Sequence, residues 1–210
     1  MRTRTKICGI TRVEDALSAA ESGVDAIGFV FYAASARCIG AAEAAAIARA
    51  LPPFVSKVGL FVNAPRSQVE NVLHLVALDS LQFHGDESAA LCSSFEVPFI
   101  KAVRVRSGVD LLEYARQFAT AQGLLLDAHV DGAYGGTGAT FDWDLIPLRL
   151  PLPLILSGGL HQGNVGEAVR RVRPWAVDVS SGVESAKGIK DHTKITAFLK
   201  EVQNEDLRLT

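Results

Sequence analysis

Cys8 is the residue of this chain with the most chemistry to offer. It stands in Lys6-Ile7-Cys8-Gly9-Ile10-Thr11, where a short apolar run ends on a thiol, turns at a glycine and opens a helix. A thiol in that place is either a small packed side chain or a positioned acid/base. Other polar residues stand at or near the ends of similar runs. Arg37 follows the second, Gln82 and His84 alternate on the fourth, Asp127 ends the sixth and Asp178 interrupts the eighth. Taken singly, each has a structural explanation. A strand-end aspartate caps the next helix or collects loop amides, and a lone histidine is a hydrogen-bonded core group. Convergence on one rim would make them an acid–base set with groups placed to hold substrate.

A second chemistry is suggested by two Gly/Ser turns. Ser157-Gly158-Gly159 follows the seventh run and Ser180-Ser181-Gly182 the eighth. Glycine lets backbone N–H groups come close to an anion, and one such turn alone is an ordinary connection. Two of them at paired positions read as a phosphate cradle built by Gly158, Gly159, Ser181 and Gly182. A third cluster, Gly135-Gly136-Thr137-Gly138, lacks the lysine of a nucleotide loop and reads as a mobile loop closing over ligand.

The elements that must position these groups alternate eight times. Strand-like runs fall at 5–8, 26–31, 58–62, 81–84, 99–103, 124–127, 154–157 and 176–179. Most are continuously apolar, as strands covered on both faces of a parallel sheet should be. Helix-period segments separate them, at 41–51, 65–76, 87–95 and 109–119, with a short one at 143–148 that Pro147 interrupts. Val165, Ala168, Val169 and Val172, then Ile195, Phe198, Leu199 and Val202, recur at i, i+3, i+4 and i+7, as do Val13, Ala16, Leu17 and Ala20. Thr11 and Glu14 fit a capping box for the first helix. Eight βα units predict an α/β fold, a (β/α)8 TIM barrel with its phosphate site at strands 7 and 8, residues 1–210 forming one domain. An open doubly wound sheet would want a glycine fingerprint after its first strand, and Cys8-Gly9-Ile10-Thr11 is not one.

Bulk composition narrows the partners. A net charge of −2 and 49% apolar residues argue against a nucleic-acid binder and for a substantial core. No stretch reaches membrane-spanning length or forms a signal-peptide core. Three cysteines without metal-like spacing point to a reducing cytoplasm and to neither disulfides nor a metal site. An exposed ring of helices fits a monomer or a homodimer equally.

Six stretches, in order and spanning most of the chain, carry a specific resemblance. They are Lys6-Ile7-Cys8-Gly9-Ile10-Thr11, Asp25-Ala26-Ile27-Gly28-Phe29-Val30-Phe31, Gln82-Phe83-His84-Gly85, Gly135-Gly136-Thr137-Gly138, Leu156-Ser157-Gly158-Gly159-Leu160 and Val177-Asp178-Val179-Ser180-Ser181-Gly182-Val183-Glu184. Together they resemble the phosphoribosylanthranilate isomerase family. The resemblance implies an Amadori rearrangement of N-(5-phosphoribosyl)anthranilate to the 1-deoxyribulose phosphate derivative, a step toward tryptophan. It implies Cys8 as general base, Asp127 as general acid and Arg37 as the holder of the anthranilate carboxylate, with the phosphate at Gly158, Gly159, Ser181 and Gly182. The chain departs from the family pattern at Ser35-Ala36-Arg37-Cys38-Ile39, which lacks the usual proline before the arginine, and at Asp127-Ala128-His129.

The chemistry can be written from the residues. Asp127, neutral, gives a proton to the ribose ring oxygen, and the ring opens to a Schiff base. Cys8, as thiolate, removes the C2′ proton, and the resulting enolamine tautomerises to the ketone. Lys6 nearby, or the cationic Schiff base, would bring the thiol down toward neutrality. Gln82 and His84 would tune the site by hydrogen bonding. The substrate nitrogen is the electron sink, so no cofactor or metal is required. Three rivals remain at this point: a histidine-pathway isomerase, which would use two aspartates and two phosphate sites; a metal-dependent epimerase; and a non-catalytic phosphosugar-binding barrel.

Overall fold

The computed structural model describes residues 2–128 and 140–209. The apolar runs form eight parallel strands: β1 (Arg4–Cys8), β2 (Ala26–Val30), β3 (Ser56–Phe61), β4 (Ser80–Phe83), β5 (Phe99–Val105), β6 (Gly123–Ala128), β7 (Leu154–Leu156) and β8 (Ala176–Val179). They pair in chain order, and β8 closes onto β1 to complete the barrel. Around them lie α1 (Val13–Glu21), α2 (Ala41–Ala50), α3 (Arg66–Leu75), α4 (Ala89–Cys92), α5 (Leu111–Gln117), α6 (Val165–Val172) and α7 (His192–Arg208). The fold is the expected (β/α)8 barrel.

Strand alternation divides each strand's residues between two cores. Ile7, Ile27, Phe29, Phe61, Leu81, Phe83 and Val177 face the helices and pack with Ala16, Ala44, Val69, Ala168 and Phe198. A fully buried side chain of this size contributes about 1.5–3 kcal/mol. The intervening residues point inward, where Ala102, Leu125, Ile155 and Ala176 form one small cluster and Cys8, Val30, Leu60 and Val62 another. In α7 the expected face holds: Ile195, Phe198, Leu199 and Val202 are all buried.

Several local expectations are corrected. The Thr11–Glu14 capping box does not form: α1 has Arg12 at its N-cap with no side-chain bond, and the Thr11 hydroxyl donates to Gly188 O at 2.5 Å. Its buried residues are Asp15, Ala16 and Ala19, while Val13 is exposed. The cause is a hairpin of β9 (Glu184–Ala186) and β10 (Ile189–Lys190), unanticipated in the sequence, which lies over the start of α1. The helix expected at 87–95 shrinks to one turn because Glu87 turns inward and accepts the N–H groups of Asn63 and Gly85. The segment 143–148 yields only a 3-10 turn at Trp143–Leu145, capped by Asp142. His129 and the Gly135–Gly138 cluster lie outside the described residues.

Candidate active site

Cys8, Arg37, Gln82, His84, Asp127 and Asp178, proposed from the sequence as separate strand-end groups, line one cavity of about 60 Å³ at the carboxyl ends of the strands. Val30, Tyr32, Ser35, Leu60, Ser157 and Ser180 complete its wall. A larger cavity, about 260 Å³, opens near Lys101, Arg104 and Phe118. Its buried cation Lys101 is already bonded to Gly85 O at 2.6 Å and Glu87 Oε2 at 2.8 Å, so the smaller cavity holds the candidate chemistry.

Register explains how β1 arms the thiol. Cys8 lies opposite Gly28, and Lys6 opposite Asp178. Gly28 has no side chain to give, and a Cβ there would sit 2.8 Å from Cys8 Sγ and 3.1 Å from Lys6 Nζ. The ammonium and thiol therefore share the space over one glycine. Lys6 Nζ donates to Asp178 Oδ1 at 2.7 Å, and Ser157 Oγ donates to Asp178 Oδ2 at 3.3 Å. Burial pulls the Lys6 ammonium down, yet Asp178 and the thiol more than offset it, and its pKa is raised. Burial pushes the Cys8 thiol up, Lys6 pulls it down, and burial wins. Lys6 thus acts on the thiol in the expected direction, but burial outweighs it and the net shift favours the protonated thiol.

Asp127 stands in a chain of buried groups. Its Oδ2 meets His84 Nε2 at 3.1 Å, and His84 Nδ1 meets Gln82 Nε2 at 3.1 Å. Asp127 Oδ1 accepts the N–H of Ala128 at 2.9 Å. An amide nitrogen only donates, so in this orientation His84 Nδ1 accepts and Nε2–H points at the carboxylate. Gln82 Oε1 is buried and without a partner among the described residues. Turning the amide over offers Gln82 Oε1 to a His84 Nδ1–H and frees His84 Nε2 to accept a proton held on Asp127. The relay therefore accommodates Asp127 as donor or acceptor.

Arg37 is shaped by its own loop. Its N–H bonds Ser35 Oγ, and its stem crosses Gly9, which sits at φ +74, where a Cβ would come 2.6 Å from Arg37 Cδ. The guanidinium makes a two-pronged pair with Glu184, Nε to Oε1 at 2.7 Å and Nη2 to Oε2 at 2.8 Å.

The two Gly/Ser turns also meet. Gly158 and Gly159 have positive φ, 85° and 62°, and a Cβ on Gly182 would lie only 2.0 Å from Leu160 O. Ser181–Val183 is a short 3-10 turn after β8. Among the described residues no acceptor lies against the N–H groups of Gly159, Ser181 and Gly182. Donors of this kind, grouped at a short extra helix beyond strands 7 and 8, are what an anion needs.

Sequence reasoning missed Glu184 as a partner of Arg37, and Lys190 altogether. One signal was readable: Lys187-Gly188, with Gly188 at φ +80, is a two-residue hairpin turn that brings them together.

Fold and site define a (β/α)8-barrel enzyme that works at the carboxyl ends of its strands, with a thiol from β1 and a carboxyl from β6 lining one cavity. Residues 5–201 match the family model described as N-(5′-phosphoribosyl)anthranilate (PRA) isomerase, and the chain belongs to that family. A relative of that name from Pseudomonas putida (strain W619) is 60% identical over 200 residues, covering 95% of this chain and 97% of its own length. The crystal structure of phosphoribosyl anthranilate isomerase from Thermotoga maritima is similar at TM-score 0.88 and 45% identity, over 96% of this chain and 99% of that one. A second Thermotoga maritima structure, of monomers generated from a dimeric phosphoribosylanthranilate isomerase, has TM-score 0.85 and 42% identity, with coverage of 96% and 99%. An isomerase in complex with reduced 1-(o-carboxyphenylamino)-1-deoxyribulose 5-phosphate has TM-score 0.85 and 44% identity, again covering 96% and 99%. No described helix is long and apolar enough to cross a membrane.

Proposed function

We propose that Cys8 and Asp127 are the base and acid of the family's isomerisation, which converts N-(5′-phosphoribosyl)anthranilate to 1-(2-carboxyphenylamino)-1-deoxyribulose 5-phosphate. The observation that carries this reading is the convergence of both groups on one buried cavity at the rim. Asp127 gives its proton to the ribose ring oxygen as the nitrogen lone pair forms the C1′=N bond, which leaves a cationic Schiff base and a carboxylate. The Cys8 thiolate then takes the C2′ proton, and the C–H electrons pass into C1′=C2′ and neutralise the nitrogen. In the enolamine, C1′ gains a proton and the C2′ hydroxyl loses one, giving the ketone. The enzyme is left with its proton moved from Asp127 to Cys8 and resets by exchange with water. The working form thus holds one proton between the two residues. Lys6 and the Schiff-base cation both favour the thiolate against burial.

In this reading His84 and Gln82 set the proton on Asp127, and Asp178 anchors Lys6 beneath the thiol. Arg37 receives the anthranilate carboxylate, and the N–H groups around Gly158, Gly159, Ser181 and Gly182 receive the phosphate. The test is turnover followed by anthranilate fluorescence on enzymatically generated substrate. Wild type should convert it rapidly, and folded Cys8→Ser and Asp127→Asn should be nearly silent. Turnover by either folded variant within about tenfold of wild type, or 1.4 kcal/mol, overturns the assignment.

Residues 1–210 are read as one barrel domain acting in the cytoplasm, a setting consistent with three free cysteines. We read the chain as a homodimer, on the dimeric Thermotoga maritima relative. Sedimentation should give twice the 22.4 kDa chain mass, and a monomer at micromolar concentration refutes it.

A further inference from the structure

Arg37 and the turn after β8 are tied together by one buried brace. Glu184, at the start of β9, holds Arg37 through both carboxylate oxygens. Its Oε1 also accepts Lys190 Nζ at 3.0 Å and the N–H of Gly188 at 3.3 Å. Lys190 has no side-chain exposure and donates further to Ser180 O at 3.0 Å and Ser180 Oγ at 3.3 Å. Burial pushes the Glu184 carboxyl up, but the Arg37 and Lys190 contacts more than offset it, so the group stays ionised.

A guanidinium has five N–H donors in a flat fork. Glu184 occupies one on Nε and one on Nη2, which leaves the Nη1 pair without a partner among the described residues on a side chain that lines the cavity. A planar fork gripped along one edge has little rotational freedom, so its other edge is aimed. Lys190 does the matching thing to the main chain. Carbonyl and N–H of a trans peptide point in opposite directions. Fixing Ser180 O on Lys190 therefore turns the Ser181 N–H the other way, leaving it without an acceptor.

We infer that Glu184 is a positioning residue, which presents the free edge of Arg37 to the carboxylate of the substrate's aromatic ring and, through Lys190, locks that edge in register with the anion-facing Ser181 N–H. This rests on the reading that Arg37 takes the carboxylate. The mark of the device is discrimination. An aimed guanidinium prefers a ring that carries the ortho-carboxylate over the same ring without it, and a loose guanidinium prefers it far less.

The experiment compares two inhibitors, reduced 1-(o-carboxyphenylamino)-1-deoxyribulose 5-phosphate and its analogue lacking the carboxylate. The ratio of Ki for the carboxylate-free analogue to Ki for the carboxylate-bearing inhibitor is measured for wild type, Glu184→Gln, Glu184→Asp and Arg37→Ala, alongside KM and kcat. Glu184→Asp keeps a charge for Lys190 but is one methylene too short for the two-pronged grip. Both Glu184 variants should lower the ratio about tenfold, the scale of one charge-assisted hydrogen bond, and raise KM more than they lower kcat. In Glu184→Asp, which keeps the charge that holds Lys190, affinity for the carboxylate-free inhibitor should hold within about threefold. If Arg37→Ala lowers the ratio and the folded Glu184 variants do not, the positioning role is overturned while the Arg37 reading stands. If Arg37→Ala leaves the ratio unchanged, the Arg37 reading itself falls. If neither Glu184 variant folds, Glu184 is a structural brace and the inference is overturned.

Discussion

Gly28→Ala isolates the position of the thiol from its chemistry. The added Cβ would lie 2.8 Å from Cys8 Sγ, 3.1 Å from Lys6 Nζ and 3.2 Å from Lys6 Cε. Ordinary contacts between such atoms begin near 3.5–4.0 Å, so the contact to Cys8 Sγ is about 1 Å short and the two to Lys6 about half that. Gly28 is not among the glycines with positive φ, so alanine brings no backbone strain. The colliding atoms are ends of side chains, and the barrel can relieve the clash by displacing the thiol and the ammonium together. Overpacking of this kind costs about 1–3 kcal/mol of stability, a fall of a few degrees in Tm for a chain of this size. A displacement of about 1 Å at a reacting atom costs on the order of a hundredfold in rate, or about 2.7 kcal/mol of barrier. Gly28→Ala should therefore fold, bind the reduced product analogue nearly as wild type does, and lose about a hundredfold in kcat. The assay is anthranilate fluorescence decay, with far-UV circular dichroism as the check of fold. A folded Gly28→Ala enzyme with kcat within about threefold of wild type would refute the claim that the Cys8 sulfur must sit where it does.

Alkylation by iodoacetamide should order the cysteines. Exposed Cys38 reacts first, while buried Cys92, pushed up to about 11, and buried Cys8, also raised, react slowly at neutral pH and faster as pH climbs toward their thiolates. Peptide mass spectrometry reads the order, and faster labelling of Cys8 than of Cys38 at pH 7 contradicts the protonated thiol. Lys101→Met takes its cation from Glu87, which has 1% side-chain exposure; a loss of about 3–5 kcal/mol is expected in urea unfolding, partly recovered by Lys101→Met/Glu87→Gln, and a single variant within about 1 kcal/mol of wild type refutes it. Glu184, held below its ordinary 4.5, contributes stability that is complete above that pH and lost as pH falls through the lower folded value. Acid titration of Tm should accordingly be shallower in Glu184→Gln than in wild type, and parallel curves would count against the pair.

The strands were legible because a parallel barrel buries both faces, so runs such as Leu124-Leu125-Leu126 and Ile27-Gly28-Phe29 are continuously apolar. Cys8, Asp127 and Asp178 were legible for the same reason: a polar group at the end of an apolar run stands out. The partners were harder. Lys6 and Asp178 are 172 positions apart, and Arg37 and Glu184 are 147 apart. No periodicity connects residues that meet only when β8 closes onto β1. Local rules failed where such partners intervened. Thr11 gave its hydroxyl to Gly188 rather than to α1, and Glu87 left its helix for the buried Lys101. The sign of the Cys8 shift was out of reach for a related reason, since it depends on how completely the barrel excludes water from the thiol.

The C2′ proton is the one that Cys8 must remove. Substrate deuterated at C2′ should turn over more slowly in wild type and release its label to water, because the Cys8 thiolate removes that atom. Folded Cys8→Ser should release almost none. Label released by Cys8→Ser at the wild-type rate would contradict the account, because the C2′ proton would then be leaving by another route.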